Sequence, residues 1–172
     1  MNRGVLRTLA LVALGVLVFA TLGSRLRGHP LEGQIAPDFS LPVVDAAGAG
    51  DRVRLSDQRG KVVVLDFWAS WCGPCRHSVP LLNGAAKRFG DKLAVYGVNS
   101  EQIGLGSLAF TALHWGMEYP VLSDPALDAQ MAYAVQAFPT VVVIDRQGIV
   151  RKVYRGEPTE TALHAEISNY LR

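Results

Sequence analysis

Cysteine is scarce in this chain. Two occur in 172 residues, Cys72 and Cys75, with only Gly73 and Pro74 between them. That count excludes a small scaffold held by several disulfides. It also argues against structural zinc, which needs about four ligands. There is no second CxxC, and His29, His77, His114 and His164 are scattered. No basic stripe with interleaved aromatics is present, which argues against nucleic acid as a partner. Internal repeats and low-complexity tracts are missing, as is any motif for a nicotinamide or flavin. Acidic residues are missing from the start: none precedes Glu32, whereas Arg3, Arg7, Arg25 and Arg27 do. Removing those four from the 17 basic residues leaves 13 against 15 acids, so the formal charge of +2 hides a body near −2.

The N-terminal charge deficit brackets a hydrophobic run. Thr8 to Ser24 is uncharged and has two arginines on each side. Its 17 residues span roughly 25 Å as helix, slightly short of the ~30 Å hydrocarbon core, a gap that snorkelling arginines can close. The expectation is an uncleaved signal-anchor over residues 1–24, followed by a linker over 25–36 punctuated by Gly28, Pro30 and Gly33. The rival is a secretory signal peptide with small residues at Ala20 and Gly23. A buried core helix is a third reading. No cysteine follows the run, so a lipoprotein anchor is excluded. The flanking arginines balance and do not set orientation. Both membrane-targeting readings export the body, to the periplasm or another extracytoplasmic space.

With 49% hydrophobic residues, the remainder suffices for one well-filled domain, expected over residues 37–172. Leu41–Val44 and Val53–Leu55 flank a Gly-rich turn and suggest a hairpin. Val62–Phe67 is a nearly continuous β-branched run, the pattern of a strand buried on both faces. Helical spacing of Val79, Leu82, Ala86 and Phe89 marks Pro74–Phe89. Leu93–Val98 reads as a second buried strand, and Leu105–Trp115 and Ala126–Val135 as helices, the latter with Pro125 at its start. Thr140–Asp145 and Ile149–Tyr154 form a hairpin across RQG, and Thr159–Leu171 closes as a helix. Strands alternating with helices predict an α/β fold, a mixed central sheet flanked by helices with an N-terminal hairpin extension.

The cysteine pair follows a buried strand and opens a helix. Unpaired N–H groups and the partial positive charge of a helix N-terminus stabilise a thiolate there. Cys72 at the cap is then the exposed nucleophile, and Cys75, one turn in, the enclosed partner. Pro74 suits a first-turn position that needs no donor. A structural disulfide closing so short a loop gains little entropy. A CxxC between strand and helix instead points to dithiol/disulfide exchange. Asp66 interrupts the apolar strand, and burial should raise its pKa towards neutrality.

DFWASWCGPC, with Pro80 five residues after Cys75, resembles the thioredoxin superfamily. APDFSLPVVD, the export segment and LHWGMEYPVLSD before AFPT resemble its membrane-tethered TlpA/ResA/CcmG-like branch, over about Pro37–Tyr170. The resemblance implies a thioredoxin fold and an enzyme that reduces protein disulfides without a bound cofactor, through a redox-active Cys72–Cys75 disulfide. Cys72 attacks the substrate disulfide and Cys75 resolves the intermediate. Phe138-Pro139-Thr140 matches the cis-proline loop beside the cysteines, whose backbone pairs with substrate. Trp71 matches the surface aromatic before the nucleophile; with Gly73 and Pro74 it completes the expected substrate surface, while Trp68 reads as core. Asp66 matches the buried acid that accepts the proton of the resolving cysteine in thioredoxin itself. The tethered branch often carries a neutral residue there, so the chain departs from its branch at this position. Glu101 falls near an acid that the branch places close to its cysteines, and a solvated loop glutamate is an equal reading. Arg76 and His77 read as solvent-facing. Implied partners are a protein with a disulfide, such as apocytochrome c or a copper-assembly protein, and a membrane thiol-transfer reductant.

Two readings from other classes stand beside the reductase. A peroxidase shares the APDFSLP opening, but Ala69 stands three residues before Cys72, where peroxiredoxins carry threonine. A thiol-based copper(I) chaperone or adaptor would use the same cysteines as soft ligands, yet Phe138-Pro139 stands where such carriers have a histidine.

Overall fold

The computed structural model describes residues 11–15, 28–45 and 48–171. The chain divides into Met1–Pro30 and Leu31–Arg172. In the first unit, residues 11–15 are helical with Leu11, Val12 and Leu14 exposed; the rest of the expected span Thr8–Ser24 lies outside the described residues. Among the described residues no helix is long and apolar enough to cross a membrane.

The second unit contains, in chain order, β1 (Ser40–Asp45), β2 (Gly48–Arg54), a 3-10 turn (Leu55–Gln58), β3 (Val62–Trp68), α1 (Gly73–Phe89), a second 3-10 turn (Gly90–Lys92), β4 (Leu93–Asn99), α2 (Leu105–Trp115), β5 (Val121–Ser123), α3 (Asp128–Ala132), β6 (Thr140–Ile144), β7 (Val150–Arg155) and α4 (Glu160–Asn169). The sheet order is β2-β1-β5-β4-β3-β6-β7. β3, β4 and β5 run parallel, while β6 and β7 on one side and β1 and β2 on the other are antiparallel additions. This is the mixed sheet of a thioredoxin fold.

β3 occupies the middle because its apolar run satisfies both faces of the sheet at once. All seven of its residues are buried. Val63, Leu65 and Phe67 enter one core with Phe39, Tyr96, Tyr133 and Val142. Val62 and Val64 point the other way, against Leu82 and Ala85 of α1 and Leu163 and Ile167 of α4. Trp68 continues on that second side, joining Cys72, Cys75 and Leu108. The chain reverses after β3, so α1 runs back along the strand it has just left. Its buried stripe, Cys75, Ser78, Val79, Leu82 and Ala85, follows the helical i, i+3, i+4, i+7 spacing. Burying Leu82 alone contributes roughly 1.5–3 kcal/mol. Pro80 lies on the exposed side of α1, where water can satisfy the carbonyl that its missing N–H leaves open.

Two expectations need correction, and one strand was not foreseen. The compact unit begins at Leu31 rather than Pro37. Gly33 N–H donates to Val150 O, Ala36 N–H to Gly148 O, and Val153 N–H to the Glu32 carboxylate, so the end of the expected linker is stitched to β7 and its turn. The helix expected over Ala126–Val135 contracts to Asp128–Ala132. Leu127 and Ala134 take left-handed φ values of 64° and 51° on either side of it, and Pro125 precedes the turn instead of opening the helix. Finally, β5 has no counterpart in the sequence reading, because three residues are too few to display a period.

Candidate active site

The C-terminal ends of β3 and β4 lie side by side at one end of the sheet, and the turn after β3 carries both cysteines. Cys72 caps α1 and is disulfide-bonded to Cys75, S–S 2.02 Å and Cα–Cα 5.3 Å. Cys75 N–H donates to Cys72 Sγ at 3.2 Å, so a first-turn amide of α1 already points at the sulfur. That amide and the helix dipole would favour negative charge on Cys72 after reduction. Cys72 is less open than expected, at 4% exposure against 0% for Cys75. Both belong to the small core around Trp68, Leu108 and Val121.

The surface around them comes from two separate segments. Trp71 is 71% exposed, and its ring meets Phe138 edge-on at 5.9 Å. Phe138 also packs against the core that holds the cysteines. The Phe138–Pro139 peptide is cis, Pro139 is buried, and its carbonyl accepts from Gly156 N–H at 2.8 Å. Thr140 opens β6 opposite Phe67 of β3, with its hydroxyl donating to Ala137 O at 2.7 Å. Gly73 and Pro74 are exposed at the start of α1, as are Arg76 and His77. The fold therefore brings the CGPC turn and the Phe138-Pro139-Thr140 loop into one patch. Trp68 is fully buried against Trp115, ring centroids 5.1 Å apart.

Asp66 lies on the α1 side of β3, between Val64 and Trp68, with no exposure. Tyr119 OH donates to its Oδ2 at 3.2 Å, and Oδ1 has no hydrogen-bond partner. Burial pushes the carboxyl up to about 7, against a smaller downward pull from the Tyr119 hydrogen bond. The Tyr119 hydroxyl is itself pushed up, first by burial and then by the neighbouring Asp66 charge, so it stays a donor across physiological pH. The space beside them is tight. A Cβ on Gly97, the β4 residue paired with Asp66, would come within 3.0 Å of Trp68 Nε1 and 3.3 Å of Tyr119 Cε2.

Glu101 is joined to the turn before Cys72. Its carboxylate accepts from Ser70 N–H at 2.5 Å, Ser70 Oγ at 2.8 Å and Asn99 Nδ2 at 2.8 Å. Asn99 in turn accepts from Glu101 N–H at 3.0 Å and donates to Trp68 O at 3.3 Å. The end of β4 thus clamps the loop leaving β3. Sequence reasoning missed Tyr119, Ser70 and Asn99. Of these only Tyr119 had an indirect signal, a glycine inside a buried strand that marks close approach by a neighbour.

A family model matches this chain over residues 33–153, the AhpC/TSA family. The chain belongs to that family. Among its relatives, the thioredoxin-like protein YneN of Bacillus subtilis is 34% identical over 79% of this chain and 78% of its own length. The thiol-disulfide oxidoreductase ResA of the same organism is 33% identical, over 77% and 72%. A Chlorobium tepidum structure described as a thiol:disulfide interchange protein, DsbE, superimposes with a TM-score of 0.73 at 36% identity, covering 82% of this chain and 98% of that one. These similarities agree with the branch that the motifs resemble. The chain is a thiol–disulfide oxidoreductase of the ResA/DsbE type.

Proposed function

We propose that this oxidoreductase is an exported, membrane-tethered reductant of protein disulfides. The observation that carries the reading is the patch itself: a CGPC disulfide at a helix N-terminus, framed by the Trp71–Phe138 aromatic pair and the Pro139 loop, with a buried acid behind it. An aromatic pair beside a redox-active cysteine, with Trp71 exposed and Phe138 half-buried, suits a polypeptide substrate better than a small oxidant.

In the reduced enzyme the Cys72 thiolate attacks one sulfur of the client disulfide. A mixed disulfide forms and the client's other sulfur leaves as a thiolate, which takes a proton from water. Cys75 then gives its proton to Asp66 and attacks Cys72 Sγ. The bond to the client breaks, the Cys72–Cys75 disulfide closes, and the client leaves with two reduced thiols. Trp71, Gly73, Pro74 and Phe138 form the surface on which the client lies, and the buried Pro139 and Thr140 border it from below. We assign Glu101 the task of holding the Ser70 turn, since its carboxylate is already engaged there. A membrane dithiol donor restores the reduced state. The hydrophobic run Thr8–Ser24 supports anchoring in the cytoplasmic membrane with the body outside the cytoplasm. Clients in this reading are the haem-attachment cysteines of an apocytochrome c or the thiols of a copper-assembly protein.

Trapping tests the proposal. A Cys75→Ser variant expressed in its native host should accumulate a mixed disulfide on Cys72 with its client, identifiable by mass spectrometry after non-reducing separation. The reduction potential of the parent should lie near that of thioredoxin, about −270 mV. A potential near that of the strong oxidant DsbA, about −120 mV, would overturn the reductase direction.

A further inference from the structure

Buried polar side chains gather where β4 and β5 end. Among the described residues eight polar or charged residues are buried, and four of them, Asn99, Ser100, Ser123 and Asp124, sit at these two strand ends. Burial favours apolar residues, so such a cluster persists only where hydrogen bonds hold it. Asn99 and Ser123 are partners in the parallel register, which sets the residues that follow them, Ser100 and Asp124, side by side. Asp124 N–H donates to Asn99 O at 2.8 Å. Its Oδ2 accepts from Ser100 Oγ at 2.9 Å and from Gln130 N–H at 3.0 Å, while Oδ1 has no partner.

Those two bonds, made by one oxygen, join segments that lead to opposite halves of the client surface. Ser100 precedes Glu101, whose carboxylate accepts from Ser70 N–H and Ser70 Oγ. Ser70 is a central residue of the turn that Cys72 N–H closes on Ala69 O at 3.0 Å, so the end of β4 reaches Cys72 through one side chain. Gln130 belongs to α3, and its carbonyl accepts from Val135 N–H at 3.0 Å, three residues before Phe138. The two routes meet again where the Trp71 ring touches Phe138. The ladder between β4 and β5 stops at Asn99 and Ser123. Beyond it the Asp124 carboxylate continues the pairing. A mere cap on the turn before α3 would need only the Gln130 bond.

We infer that Asp124 is a positioning residue for thiol exchange: by holding Ser100 and Gln130 at once, its carboxylate sets the Cys72 turn against the Phe138 loop. The inference rests on the assignment of Glu101 to the Ser70 turn. Asp124 acts on the first step, attack by Cys72, because that step needs the sulfur and the client disulfide held in line. Closure of the disulfide by Cys75 is a reaction within the CGPC turn and α1, so it proceeds without this cross-link.

Stopped-flow kinetics of the reduced full chain with a disulfide-bonded peptide, alongside decay of a preformed mixed disulfide on Cys72, test this. Ser100→Ala cuts one arm and leaves Asp124 in place, so it carries the test even if Asp124→Ala fails to fold. It should slow the first attack about tenfold, a part of the ~10²-fold that a misplacement of about 1 Å costs. The mixed disulfide should decay at the parent rate. Asp124→Ala should slow attack at least as much, and Asp124→Asn, which keeps an acceptor oxygen for both donors, should recover most of the loss. Because the Ser100 arm runs through Glu101, adding Ser100→Ala to Glu101→Gln should slow attack no further. If Ser100→Ala lowers the urea midpoint yet attacks at the parent rate while Glu101→Gln is slow, Asp124 is a structural cap and only this inference fails. Multiplied effects in the double variant, or an Asp124→Asn variant as slow as Asp124→Ala, overturn it as well. If Glu101→Gln alone attacks at the parent rate, the Glu101 assignment falls and takes the inference with it.

Discussion

Replacing Asp66 by Asn removes a titrating group and leaves a side chain of nearly the same shape, so the pH dependence of stability isolates what burial of the acid costs. The carboxyl is raised from 3.8 to about 7, chiefly by desolvation, in a site with no solvent exposure. The shift is about 3 units, and at 1.36 kcal/mol per unit it corresponds to about 4 kcal/mol. Below pH 4 the acid is protonated in both the folded and unfolded chain and imposes no penalty. Between pH 4 and 7 the unfolded chain ionises Asp66 while the folded protein keeps it protonated. The folded state then binds more protons, and its stability falls as pH rises. Above pH 7 the full penalty is in place. In urea titrations of the oxidised protein, the stability of Asp66→Asn minus that of the parent should therefore grow by about 4 kcal/mol between pH 4 and 8. For a domain of this size that is a large fraction of the total. A difference that stays flat across this range would refute the reasoning, because it would mean that Asp66 reaches solvent or finds a cationic partner.

Tyr119→Phe removes the one hydrogen bond that favours the ionised form of Asp66. At about 1.5–3 kcal/mol for a bond to a charged group, the pH midpoint of Cys75 resolution should rise by about 1–2 units; an unchanged midpoint would count against the contact. Gly97→Ala forces a methyl against Trp68 and Tyr119, and should cost about 1–3 kcal/mol by overpacking, read as a lower urea midpoint; full stability would show that these two rings move freely. Glu101→Gln halves the carboxylate acceptors of the Ser70 turn and should cost about 1–3 kcal/mol while slowing the first attack by Cys72. If stability and rate are both untouched, the clamp is ornamental. Trp71→Ala should leave stability within about 0.5 kcal/mol, as expected for an exposed residue, yet lower kcat/KM towards protein disulfides; equal loss on a small-molecule disulfide would argue against a client-binding role.

The main elements were legible in the sequence where a period or a continuous apolar run was long enough to show. β3 and α1 are such cases, and the CGPC turn between them follows from where one ends and the other starts. β5 and α3 were not, because three and five residues carry no usable period and the left-handed residues Leu127 and Ala134 have no compositional sign. At the site, the cysteines and Asp66 announced themselves by type and place, and the Phe138-Pro139-Thr140 loop came from resemblance alone. Tyr119 had only the indirect sign of a glycine in β4. It matters through Asp66, 53 residues away in sequence, and only the fold specifies that pairing.

The conflict between local and global rules is concentrated in one place. A strand buried on both faces calls for apolar residues throughout, and β3 complies except at Asp66. The helix stripe that covers it calls for the same, and α1 complies except at the cysteine and Ser78. Trp68 presents an unpaired N–H to that same interface, and β4 supplies a glycine where a Cβ would crowd Trp68 and Tyr119. Any one of these alone is an ordinary imperfection of a core. Together they fall on the elements that meet beside the resolving cysteine, β3, β4 and α1, where a fully apolar core would be more stable. Natural sequences break several local rules at once where function requires it. In the proposed mechanism the requirement is proton storage: the disulfide closes only after Cys75 has lost a proton, and a fully buried thiol has no solvent to take it. A buried carboxyl poised near pH 7 meets that need, and the stability it removes from the folded state is the same desolvation energy that makes it a competent base.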